Sequence, residues 1–151
     1  MQALVFVTHI ESEPVHKHFM RLKVETQGLL DVFLCVHEPA RRSAGPLPAD
    51  FRVSASDAKD RLATRYAAMM QRGGGMLPGF TDLAHMPALL SPRLADYAHV
   101  WMIEYDVDFA GPWDSFFAPL VDNQADLLGT TLYPRAQFPE WLHWRWFETP
   151  S

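Results

Sequence analysis

The sequence predicts a layered α/β/α fold built on a mainly parallel sheet. Three observations predict it. Short continuous apolar runs, Ala3 to Val7, Leu30 to Val36 and His99 to Tyr105, read as strands covered on both faces. Segments with helical spacing lie between them. Turn and breaker residues separate the two kinds of segment, and alternating strands and helices favour parallel pairing with crossovers.

The first strand, Ala3 to Val7, gives way to the polar stretch Thr8-His9-Ile10-Glu11-Ser12-Glu13. Ser12 is a candidate cap for a helix opening with Glu13 and Pro14, since proline is tolerated in a first turn. Val15, Phe19, Leu22 and Thr26 form its inner stripe, and Gly28 is its expected stop. Leu30 to Val36 then completes a β-α-β unit, which implies a parallel pair. Pro39 to Pro48, with three prolines, reads as a surface loop. Ser56 to Gln71 reads as a helix ended by Gly73-Gly74-Gly75, and Thr81 to Leu90 as a second, disturbed by Pro87. His99 to Tyr105 is the third predicted strand. Gly111-Pro112 opens a short helix carrying Trp113, Phe116, Phe117 and Leu120. Ala125 to Tyr133 is a fourth predicted strand, weakened by Gly129, and a tryptophan-rich tail runs from Pro139 to Phe147.

The length suits one domain, 1–151, with no repeat or linker dividing it. A net charge of -5 and the lack of a basic cluster argue against a nucleic-acid partner. Cys35 lies in an apolar run and reads as a buried, inert thiol. One cysteine cannot form an internal disulfide, and the opening residues carry no basic leader or signal-like run, so a cytoplasmic location is expected. No stretch approaches the ~20 apolar residues of a membrane span.

In parallel sheets ligands bind beyond the carboxyl ends of the strands. That rule selects Thr8 to Glu13, His37 to Glu38 and Asp106 to Gly111. Thr8, His9 and Glu11 stand where a nucleotide's base or ribose would sit, or serve as plain loop residues. Asp106 and Asp108 flank Val107 directly after a hydrophobic strand. Two hard oxygen ligands suit Mg²⁺ or Mn²⁺, with water and substrate phosphates filling the other positions. Such an ion would neutralise the charge of a departing diphosphate. D-x-D alone equally describes a capping acid beside a solvated one. Glu104 is a support for such a site or the partner of a buried donor. His16 and His18, two apart on a helix, cannot chelate one ion. His143 reads as packing, with completion of a metal site as the other possibility. The tryptophans Trp141, Trp144 and Trp146 read as core or interface anchors or as a platform for sugar. No zinc spacing and no phosphate-loop pattern occurs.

The run Trp101-Met102-Ile103-Glu104-Tyr105-Asp106-Val107-Asp108-Phe109-Ala110-Gly111-Pro112-Trp113 resembles the D-x-D region of GT-A glycosyltransferases. It is most similar to a glycosyltransferase-like group with the pattern W-x-x-E-x-D-V-x-F-x-G-x-W. The resemblance covers about a dozen residues specifically and the rest only in topology. It implies a nucleotide-diphospho-sugar transferase fold, a sugar-nucleotide donor, a Mn²⁺ or Mg²⁺ ion and a glycan or other hydroxyl acceptor. It also implies that Asp106 faces the donor and the metal and that Asp108 ligates the metal. Some relatives lack an acid at the position of Asp108. GT-A enzymes usually continue through an acceptor-binding half, whereas this chain stops soon after its fourth predicted strand, so a fragment, a trimmed version and an inactive relative stay open. No catalytic base is identified; Glu140 and Glu148 qualify only by lying downstream. The other readings are a non-catalytic nucleotide-sugar or glycan-binding fragment, and a haloacid-dehalogenase-like phosphatase with Asp106 as nucleophile and Asp108 as acid.

Overall fold

A computed structural model of the chain describes residues 1–42, 45–54, 88, 91–123, 125, 134 and 136–140. The elements are β1 (Gln2–Glu11), α1 (Glu13–Glu25), β2 (Leu30–Arg42), β3 (Phe51–Ser54), a 3-10 turn (Pro92–Leu94), β4 (His99–Glu104), α2 (Trp113–Phe117) and a second 3-10 turn (Ala118–Leu120). The four strands form one sheet in the order β3-β2-β1-β4, and every pairing is parallel.

β1 lies between β2 and β4 and is covered on both faces, which is why its apolar run shows no alternation. Leu4 and Phe6 face one side, with Leu30, Val32, Leu34 and Val36 of β2. Val15, Phe19 and Leu22 of α1 and Trp113 and Phe117 of α2 close over them. Ala3, Val5 and Val7 face the other side with Cys35, Phe51, Val53, Ala88 and Leu94. The sheet therefore has a core on each face, as a layered α/β fold requires.

α1 follows the sequence closely. Ser12 stands at its N-cap with extended backbone, but its side chain makes no capping bond; its carbonyl accepts from the His16 amide instead. Thr26 ends the helix by donating its hydroxyl to the Leu22 carbonyl at 2.8 Å. Gly28 then turns with φ +86°, a conformation that side chains disfavour.

Two strands are longer than the apolar runs that announce them, and one strand has no such run. β1 continues through the polar residues Thr8 to Glu11, past a register irregularity between Thr8 and Ile10. β2 continues into the segment expected to be loop, where Arg41 and Arg42 stand opposite Ile10 and Glu11. β3 alternates Phe51 and Val53 inward with Arg52 and Ser54 outward, a half-buried strand too short to stand out. Parallel neighbours need a crossover of roughly a dozen residues. The return from Glu38 to Phe51 meets that length without a described helix, and Leu47 and Ala49 pack on the α1 face along the way.

The helices expected at 56–71 and 81–90, the strand expected at 125–133 and the tryptophan-rich tail lie mostly or wholly outside the described residues. Among the described residues no helix is long and apolar enough to cross a membrane.

Candidate functional site

The strand order fixes where a site is expected. From β1 the chain steps outward through β2 to β3, then returns to lay β4 on the other side of β1. The order reverses between β1 and β4, and a crevice outside their carboxyl ends is the usual ligand position in such sheets. β4 stops at Glu104, opposite Val7, whereas β1 runs four residues further. The Tyr105 amide still donates to the Val7 carbonyl at 2.9 Å. A tight turn follows, in which Val107 donates to the Glu104 carbonyl at 3.0 Å. Asp106 sits in that turn and is exposed. His9, at the protruding end of β1, packs edge-on against Tyr105 with ring centres 5.1 Å apart. The reversal thus packs His9 against Tyr105, with Asp106 next along the chain.

Other residues at this edge are engaged within the fold. The Thr8 hydroxyl donates to the Ile10 carbonyl at 2.8 Å and accepts from the Ile10 amide at 2.9 Å, closing the strand irregularity on itself. Thr8 is buried. Glu11 is fully buried, and its Oε1 accepts from Arg52 Nη2 at 2.7 Å and from the Leu47 amide at 2.8 Å. Arg52 also reaches Glu38 at 2.7 Å and the Leu47 carbonyl at 2.8 Å. This network binds the ends of β1, β2 and β3. His37 lies beside it, its pKa lowered by burial and by the neighbouring His9.

Asp106 and Asp108 have different surroundings. Asp108 lies in the segment that runs back along α1. Its Oδ1 accepts from Arg21 Nη1 at 2.9 Å and from the Phe109 amide at 2.7 Å, and His18 Nε2 stands 3.7 Å away. The Phe109 amide, and after it the Arg21 guanidinium, holds the Asp108 carboxyl below the ordinary carboxylate range. Its side chain is 59% exposed, so the pairing is solvated and individually weak. Arg21 does more than meet Asp108. Its Nε bonds Glu25 at 3.0 Å, and its Nη2 donates to the carbonyls of Phe109 and Gly111 at 3.2 and 2.8 Å. Glu25 in turn accepts from the Trp113 amide at 2.9 Å. That bond serves the first turn of α2, whose N-cap, Pro112, makes no side-chain capping bond. The amide of Trp113, then Arg21, holds Glu25 below its usual value.

The aromatic residues of the motif, Trp101, Tyr105, Phe109 and Trp113, lie in or against the core. Trp101 Nε1 donates to Gln2 Oε1 at 2.7 Å, and its ring meets Phe117. Phe109 packs on Trp113 and Phe116. Gly111 admits Phe109 so closely that a Cβ there would lie 2.8 Å from the ring. Sequence reasoning singled out neither Arg21 nor Glu25. Their i,i+4 spacing on α1 is visible, but the loop they grip lies far along the chain.

Among the described residues no three His, Cys, Asp or Glu side chains gather to hold a metal ion by themselves. Magnesium and manganese commonly use one or two carboxylates with water and substrate phosphates; of the two acids, Asp106 is exposed in its turn, whereas one oxygen of Asp108 is already engaged by Arg21 and the Phe109 amide. Glu140 is exposed; His143, Glu148 and the tryptophans of the tail lie outside the described residues.

No family model matches the chain, and neither a curated protein nor a solved structure is found to match it.

Proposed function

We propose that the chain binds a nucleotide-diphospho-sugar in the crevice between the ends of β1 and β4 and acts as a metal-dependent glycosyltransferase. One observation carries the reading: Asp106, the first acid of the D-x-D motif, is exposed in a turn where the strand order of a parallel sheet reverses. The donor's base and ribose lie against His9 and Tyr105, and its diphosphate lies toward Asp106 through Mn²⁺ or Mg²⁺. The ion offsets the charge that builds on the departing diphosphate. A glycan or other hydroxyl compound receives the sugar.

Binding without transfer is the second reading. It is favoured by the engagement of Asp108 with Arg21. Both readings predict that a nucleoside diphosphate with Mn²⁺ raises the melting temperature. A tenfold excess of ligand over Kd adds roughly 1.4 kcal/mol, a measurable shift. Asp106→Asn abolishes the shift. No shift in the wild type with uridine or guanosine diphosphate removes both readings. Sugar transfer or donor hydrolysis, followed chromatographically, separates them.

A further inference from the structure

We infer that Arg21 is the positioning residue of the acidic loop and that Asp108 is its handle, leaving Asp106 as the loop acid that meets a ligand. The ligand part of this inference rests on the function proposed above; the positioning part does not.

Arg21 spreads its three nitrogens over Glu25, Asp108 and the carbonyls of Phe109 and Gly111. One side chain thus fixes three of the four residues from Asp108 to Gly111. Glu25 extends the hold to the Trp113 amide. The guanidinium suits this role because its donors form a rigid planar fork, which an ammonium cannot reproduce. Asp108 Oδ1 is shared between Arg21 and the Phe109 amide. A cation approaching that oxygen would have to displace a guanidinium already anchored by Glu25. Asp106 stands two residues earlier, in the turn that β4 fixes through Tyr105 and Val7, and no ion pair holds it among the described residues. The motif therefore divides its work: one acid fastens the loop to α1, and the other remains for the crevice.

The positioning part is read on the ligand-free protein by hydrogen–deuterium exchange. Arg21→Gln accelerates exchange at the amides of Phe109 and Trp113 and leaves Tyr105, held by β1, unchanged. Asp108→Asn accelerates Phe109, and adding it to Arg21→Gln brings little more. Unchanged exchange in both variants overturns the inference. The ligand part is read by titrating uridine or guanosine diphosphate with Mn²⁺. Asp106→Asn loses binding at an unchanged melting temperature. Asp108→Asn keeps binding within a few-fold of the wild type. Arg21→Gln weakens binding several-fold, and Arg21→Lys, which retains the charge, recovers part of the loss. Asp108→Asn that folds normally but no longer binds would make Asp108 the metal ligand and overturn the division of roles. A wild type that binds neither nucleotide defeats the proposed function, while the exchange measurements still decide whether Arg21 positions the loop.

Discussion

Glu11 offers the sharpest test of how the carboxyl ends of the strands are held. Its side chain is fully buried, with Oε1 accepting from the Arg52 guanidinium and the Leu47 amide. Glu11→Ala removes both acceptor contacts and leaves a void. Stripping one partner from a buried ion pair typically costs about 3–5 kcal/mol. Arg52 is 34% exposed at its side chain and keeps Glu38, so its share of that cost is reduced. The orphaned Leu47 amide adds roughly 1–3 kcal/mol of its own. With the Arg52 share cut to about 1–2 kcal/mol, the two together give a loss of about 2–5 kcal/mol. For a chain of this length that is a fall in melting temperature of roughly 4–20 °C. Glu11→Gln keeps an acceptor oxygen and exchanges charge-assisted bonds for neutral ones, a loss nearer about 1 kcal/mol. Thermal and urea unfolding of the wild type and both variants measure the order. The reasoning fails if Glu11→Ala unfolds within a degree of the wild type. It fails differently if Glu11→Gln unfolds like the wild type yet loses nucleotide binding, because Glu11 would then be a ligand contact and not a tie.

Two further outcomes follow from titrating groups. Burial pushes the Cys35 thiol up to about 12, so the folded protein keeps it protonated. A thiol reagent at pH 8 should leave it unmodified until denaturant is added, then label one equivalent; rapid labelling of the native protein would contradict its burial. Glu25 has its pKa depressed by the Trp113 amide and by Arg21. Its contribution is therefore present above the ordinary carboxylate pKa and is lost as pH falls through the lower folded value. Exchange at the Trp113 amide, corrected for its intrinsic rate, should lose protection only below that ordinary range, and Glu25→Gln should flatten the dependence.

The parts of the fold that were legible in the sequence are those where burial wrote a strong pattern. Ala3 to Val7 and Leu30 to Val36 are apolar because both faces of the sheet are covered, and Val15, Phe19 and Leu22 repeat at helical spacing because one face of α1 is. β3 was missed because four alternating residues, Phe51-Arg52-Val53-Ser54, make too short a signal after a proline-rich stretch. The extension of β1 through Thr8, His9, Ile10 and Glu11 was missed for another reason. Those residues are polar, and what keeps them extended is their fit to distant partners: Arg41 and Arg42 in register, and Arg52 and Leu47 around the Glu11 carboxylate. The position of the acidic loop at a strand's end could be read from a hydrophobic run followed by two acids. The different surroundings of those acids could not, because Arg21 lies eighty-seven residues from Asp108.

The placement of β4 also bears on how the protein is made. Gln2 pairs with His99, so one flank of the first strand waits for a partner that the ribosome supplies almost a hundred positions later. Until then a nascent chain carries an apolar ribbon whose backbone groups are open along that side, the kind of surface that recruits stray strands. The reversal of strand order cannot exist before β4 docks, because that strand forms one side of it. If the proposed nucleotide binds there, it would act as a late fastener, favouring only molecules whose distant halves have already met.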